Sequence, residues 1–97
     1  MKVELSNEAK RQAREENAWW RKNRDAKGLF TEELREVRKV LRDAPKHQVY
    51  AYIDGVAVRR LLLEKTRCHV YYIVLDREDL VRVVAIWGAR RGRTPKL

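Results

Sequence analysis

The sequence predicts an α+β fold. A short N-terminal strand and an antiparallel two-helix hairpin pack on one face of a three- to four-stranded antiparallel sheet. Three observations predict it. Apolar residues recur at helical spacing as far as Pro45 and at period two beyond it. The stretch His69–Arg91, HVYYIVLDREDLVRVVAIWGARR, reads as two apolar strands joined by a tight charged turn. No linker, internal repeat or low-complexity segment divides the chain, so residues 1–97 form one domain. Within it, 1–45 hold the strand and the hairpin, 46–91 the sheet and 92–97 a basic tail. A helical stripe buried against one sheet face gives a two-layer sandwich. The other sheet face then meets water or a ligand.

Each element has its own signal. Lys2-Val3-Glu4-Leu5 alternates polar and apolar, a short strand with Val3 and Leu5 inward. Ser6 is an N-cap and Glu8 lies in the first turn, near the positive end of the helix dipole. The first helix runs to about Asp25. Leu5, Ala9, Ala13 and Trp20 fall near one face, while Lys10, Arg11, Arg14, Glu15 and Glu16 are assigned to solvent. Trp19 and Trp20 point about 100° apart on a helix. One belongs to the core, and the other is a partly buried edge residue or a partner-binding anchor. Gly28 is read as the residue that closes this helix.

Thr31 is read as the cap of a second helix, with Glu32 and Glu33 in its first turn. Phe30, Leu34, Val37 and Leu41 set its apolar stripe, widened by Val40 and Ala44, and Pro45 stops it. The short link between the helices implies a hairpin. Tyr50-Ala51-Tyr52-Ile53, Asp54-Gly55 and Val56-Ala57-Val58 signal a β-hairpin, and Val58–Leu63 a strand. Glu64-Lys65-Thr66-Arg67 turns the chain into the strand from His69. Asp76-Arg77-Glu78-Asp79 closes the next hairpin, and Leu80–Trp87 is the returning strand.

Composition narrows the function classes. Hydrophobic residues make up 44% of the 97 and charged residues 38%, which suits a small globular domain with a charged surface. The net charge of +9 favours an acidic partner: nucleic acid, an acidic protein segment or anionic lipid. The lone Cys68 and two histidines argue against a disulfide or a structural zinc site. No window approaches ~18 apolar residues and the start lacks an apolar run, so a cytoplasmic protein without membrane association is expected.

The residues that can carry function cluster late in the chain. Arg59 and Arg60 point to opposite sheet faces. His69 near the start of one antiparallel strand falls near Trp87–Arg90 at the end of the next. An imidazole beside guanidinium groups suits phosphodiester chemistry, because His moves protons near neutral pH and Arg stabilises developing charge. A strand-end histidine bonded to a neighbour, or one that contacts a ligand, fits the same pattern, and nearby positive charge lowers its proton affinity. Tyr71 shares a face with His69 and Tyr72 points the other way, so one is core and the other a surface ring available for stacking. Arg90, Arg91, Arg93 and Lys96 form a tail without an acid, either a solvated terminus or a contact segment. There is no Gly-rich phosphate loop, HExxH, GxSxG or catalytically spaced carboxylate pair, and Cys68 is read as a buried structural cysteine.

Taken together, KVELS, the helical hairpin, VRRLLLEKTRCHVYYIV and VVAIWGARRGRTPKL resemble the RelE/ParE superfamily of toxins from bacterial toxin–antitoxin systems. The resemblance spans nearly the whole chain, and the C-terminal half is its specific part. It implies a β-α-α unit followed by an antiparallel sheet. RelE-type relatives are ribosome-dependent mRNA endonucleases that use basic residues on the open sheet face and a C-terminal tyrosine. Arg60 falls near one of their strand lysines and Arg90 at their arginine after the glycine. His69 stands where they have a catalytic arginine and Leu62 where they have a second lysine, and no tyrosine follows Tyr72. These departures point to the ParE-like branch, whose members poison DNA gyrase by binding it and serve in plasmid stabilization. Some relatives cleave with a histidine, which keeps His69 and Arg90 as catalytic candidates. The resemblance further implies growth inhibition and neutralisation by a cognate acidic antitoxin. It implies contact with operator DNA only through that antitoxin, and no cofactor or metal. Target binding is then expected at Arg60, Tyr71, Trp87, Arg90, Arg91 and Arg93, and antitoxin binding at Trp19 and Trp20.

Overall fold

A computed structural model describes residues 1–97. Its elements are β1 (Lys2–Leu5), α1 (Asn7–Asn23), α2 (Leu29–Asp43), β2 (Val49–Ile53), β3 (Val56–Leu63), β4 (Cys68–Leu75) and β5 (Leu80–Gly88), with single 3-10 turns at Asp76–Glu78 and Ala89–Arg91. The fold is α+β as the sequence predicts. The four strands β2–β5 form an antiparallel meander. The N-terminal strand enlarges it to a five-stranded mixed sheet in the order β1-β5-β4-β3-β2, because β1 lies parallel to β5 with Val3 opposite Val81. No helix is long and apolar enough to cross a membrane.

The helical hairpin begins as its sequence suggests and closes differently. Ser6 is extended and its Oγ accepts from the Ala9 N–H at 3.0 Å, which satisfies one of the free donors at the start of α1. Two expectations are corrected at the link. α1 ends at Asn23 with Arg24 as its cap, so Gly28 does not close it; Gly28 precedes α2 with φ −91°. Thr31 does not cap α2 but lies within its first turn, where its hydroxyl donates to Asn17 Oδ1 across the hairpin at 3.1 Å. Glu33 also works outside its own helix. Its carboxylate accepts from the Lys65 and Thr66 amides at 2.7 and 2.9 Å and from the Thr66 hydroxyl at 2.7 Å, pinning the β3–β4 turn to α2.

The core lies between the hairpin and one sheet face. Val3, Ala9, Phe30, Leu41, Leu63, Cys68, Val70, Tyr72, Val81, Val83 and Ile86 are buried together there. Tyr72 is thus the core tyrosine, and its hydroxyl donates to Pro45 O at 2.5 Å and accepts from the His47 amide at 3.1 Å. Along β5 the pairing slips between Tyr71/Ala85 and Tyr72/Val83, so Val84 is an extra residue in a bulge. The bulge turns both Val83 and Ile86 toward the helices and leaves Ala85 and Trp87 on the far face. β1 ends opposite Val83, so the Ile86 amide has no strand partner. Gln12 on α1 supplies one, accepting at 2.7 Å. At the β2–β3 turn Asp54 and Gly55 both have positive φ, 51° and 77°, the geometry that suits a two-residue hairpin.

Candidate functional site

The antiparallel register decides which side chains meet on the open face. Opposed residues share a face. Leu62, His69 and Trp87 therefore form one row, and Arg60, Tyr71 and Ala85 the next. The end of this face is a shallow groove of about 300 Å3 lined by Arg60, His69, Tyr71, Trp87, Arg93 and Thr94. The placement of His69 near Trp87 follows the expected pairing.

The groove has an aromatic floor and cationic walls. Tyr71 is 2% exposed and meets Tyr50 edge-on at 5.0 Å. That corrects the expectation of a surface ring, because Tyr71 is part of a small second core with Val58 and Ala85 and offers no free face for stacking. The Arg60 guanidinium lies 4.8 Å from the Tyr50 ring centre. Trp87 carries the guanidiniums of Arg91 at 4.3 Å and Arg93 at 5.4 Å, and its Nε1–H donates to Arg93 O at 2.7 Å. The basic tail is therefore folded onto Trp87, and Pro95 beyond it is buried. His69 sits 6.0 Å from Tyr71 ring to ring. Its proton affinity is lowered, first by burial and then by the positive charge of Arg60.

Arg90 and Arg91 are not free at this rim. Glu16, assigned to solvent from the sequence, is fully buried, which corrects the expectation for the acid and gives both arginines an ion-pair partner. Arg90 Nη2 reaches Glu16 Oε1 at 3.1 Å and Arg91 Nε reaches the same oxygen at 3.3 Å. Arg91 also pairs with Glu15 at 3.2 Å and keeps only 18% of its side chain exposed. The sequence stripe held the signal. Ala9, Gln12, Glu16 and Trp20 lie on one helical face, and an acid in the middle of a buried stripe calls for a cationic partner. Arg90 also stacks on Trp19 at 4.5 Å and lines a cleft with Trp20 on the helix side of the sheet. His69 and Arg90 thus line different clefts.

The groove has one imidazole, two arginines and no carboxylate among its lining residues. A general base usually takes its orientation from a third group, commonly a carboxylate. This lining supplies none. No group of three His, Cys, Asp or Glu side chains gathers anywhere to hold a metal ion.

No protein-family model and no curated protein matches the sequence. Among solved structures, a chain described as "Chromosomal ParDE TA system from P. aeruginosa" is similar, with a TM-score of 0.70 and 14% identity over 91% of this chain and 95% of that chain. At that identity the likeness is one of fold, and it extends over almost the full length of both chains.

Proposed function

We propose that this chain is a ParE-like toxin of a type II toxin–antitoxin system. It inhibits growth by binding DNA gyrase through the rim of the open sheet face and is neutralised by an acidic antitoxin. The fold shared with a ParDE-system chain supports the toxin class. One observation favours binding over cleavage: Arg90 is drawn to Glu16 on the helix side, away from the groove that holds His69. His69 and Arg90 thus line separate clefts that meet at Ala89, which supports binding over cleavage. Arg60, Trp87 and Arg93 are the target-binding residues of this reading, with Arg91 holding Trp87 in place. Operator DNA is reached only through the antitoxin.

Purified chain added to gyrase tests the proposal. Supercoiling is expected to fall and cleaved DNA complexes to accumulate. Unchanged supercoiling with mRNA cut in a translating extract would instead assign the chain to the ribosome-dependent endonucleases. Tight salt-dependent binding to any nucleic acid, with no effect on growth, would mark a general basic module.

A further inference from the structure

The β3–β4 turn is tied down from three sides. Glu33 on α2 holds the Lys65 and Thr66 amides, the Arg67 N–H donates to Leu63 O at 2.8 Å, and Arg67 O accepts from the Ala89 amide at 2.9 Å. Arg67 itself sits in the left-handed region at φ 58°, where glycine or asparagine is the cheaper residue. The turn forms one wall of a second cleft, of about 410 Å3, on the helix side of the sheet. Arg24, at the end of α1, lines the same cleft, and its guanidinium lies 4.8 Å from the Trp19 ring centre and 5.7 Å from that of Trp20. Arg90 completes the set and is fixed by Glu16 at 3.1 Å. These cations are therefore oriented before any ligand arrives.

What the cleft lacks is an acceptor. Arg24, Lys65 and Arg67 are exposed and form no ion pair. Glu16 is the one acid of the lining, and it is buried and already engaged by Arg90, Arg91 and the Cys68 thiol. The Thr66 hydroxyl donates to Glu33, and Trp20 keeps its Nε1–H buried without an acceptor. We propose that this cleft is a site for the phosphate group of a small molecule, held between Arg24 and Arg67. A phosphate ester carries about 1.5–2 negative charges at pH 7, and its terminal oxygens can accept from several cations at once and offset their repulsion. Guanidinium forks match such a group in a bidentate way. The ligand is small and non-aromatic for two reasons. The cations converge on one cleft and do not form the charged track that a nucleic-acid backbone follows. Trp19 already carries Arg24 and, at 4.5 Å, Arg90, so a base finds no clear indole plane to stack on. The site is separate from the His69 groove and does not rest on the gyrase reading. A chain that passes the test below and leaves gyrase untouched overturns only that reading.

The test is a titration of the full chain with inorganic phosphate, and in parallel with glycerol 3-phosphate, at an ionic strength held constant with chloride and followed by indole N–H resonances. The chain has 3 tryptophans, so the cleft and the His69 groove have separate reporters. The Trp19 and Trp20 signals should move with half-saturation at or below about 1 mM, while that of Trp87, already bonded to Arg93 O, should stay. The two arms separate free phosphate from an ester, and saturation by either supports the site. Arg67→Gly suits the left-handed backbone, so its melting midpoint should be no lower than that of wild type, yet it should weaken phosphate binding about tenfold. Arg24→Gln should weaken it equally from the other wall, while Arg77→Gln, an equal change in net charge elsewhere, changes it less than about twofold. Absence of saturation by about 50 mM, equal weakening by all three substitutions, or movement of Trp87 alone overturns the proposal. Tighter binding of a capped oligoglutamate peptide or of oligothymidylate with the Trp19 and Trp20 signature would give the cleft to a carboxylate or to nucleic acid and overturn it as well.

Discussion

Gly88 and Glu16, 72 positions apart in the chain, are packed so closely that a β-carbon built on Gly88 would lie 3.0 Å from Glu16 Oε1. The glycine has an ordinary extended backbone, φ −79°, so the site needs it for space and not for conformation. The carboxylate cannot simply swing aside, because Arg90 and Arg91 hold the same oxygen. Gly88→Ala should therefore destabilise the chain by about 1–3 kcal/mol, as overpacking of a fixed neighbour does. A thermal melt reads this directly. An unchanged midpoint would mean that Glu16 has room to move.

Glu16→Gln isolates the charge from the shape. The amide keeps the volume but leaves Arg91, which is mostly buried, and Arg90, which is 35% exposed, without their counter-charge. Removing one partner of a buried pair costs about 3–5 kcal/mol, and the partial exposure of Arg90 lowers the expectation to about 2–3 kcal/mol. Urea denaturation is the measurement. The second effect is on the rim: released from α1, Arg91 should hold Trp87 less firmly, so the indole N–H of Trp87 should exchange faster with solvent.

This cluster also explains what the sequence could and could not disclose. Strand alternation put Tyr71 and Tyr72 on opposite faces, without choosing the core one, and His69 beside Trp87, because period two survives in β4 and antiparallel neighbours follow one another in the chain. The pairing of β1 with β5 leaves no local mark. It is a parallel contact between the two ends of the chain, and only the completed fold creates it. The Val84 bulge is equally silent, since VVAI reads as an unbroken apolar run whichever residue is extra. Arg90 and Arg91 were visible as charge, but their direction depends on Glu16, and an acid on a helix is assigned to solvent unless its partners are known.

Leu41 tests the helix–sheet core independently of the rim. It is 0% exposed on the inward stripe of α2 and belongs to the same cluster as Phe30 and Tyr72. Leu41→Ala should lower stability by about 2–5 kcal/mol through lost burial and the cavity left behind. Urea unfolding should show a lower midpoint with an unchanged slope. A change below about 0.5 kcal/mol would place the residue at the surface.

His69 separates binding from catalysis. Burial and then the charge of Arg60 lower its proton affinity, so by NMR it should titrate below the usual 6.5, and Arg60→Gln should raise its midpoint. The sign for stability follows. The unfolded histidine takes up a proton first, so stability is complete above about pH 6.5 and falls as the pH drops through the folded value. On the binding model the imidazole is not a reagent, and His69→Ala should keep growth inhibition within about threefold in a folded variant, the scale of one peripheral contact. Loss of toxicity in a protein with an unchanged melt would favour cleavage.

Cys68 gives the alkaline counterpart. Its thiol is pushed from 9.0 up to about 12, chiefly by burial and next by the negative charge of Glu16, whose Oε2 lies 3.6 Å from Sγ. The folded chain therefore keeps its thiol proton where the unfolded chain loses it. Stability attributable to this group is intact below about pH 9 and declines as the pH rises toward 12. Tyr72, raised by burial above its ordinary 10.0, adds a decline of the same sign at higher pH, so the wild type alone does not isolate the thiol. Cys68→Ser removes the titrating sulfur and leaves Tyr72 in place. Between pH 8 and pH 10 the urea midpoint of wild type should fall more steeply than that of the variant, and equal slopes would show that the buried thiol ionises as readily as a free one. Alkylation follows the same logic: at pH 8.5 iodoacetamide should modify Cys68 in denaturant and leave the native chain untouched over the same interval.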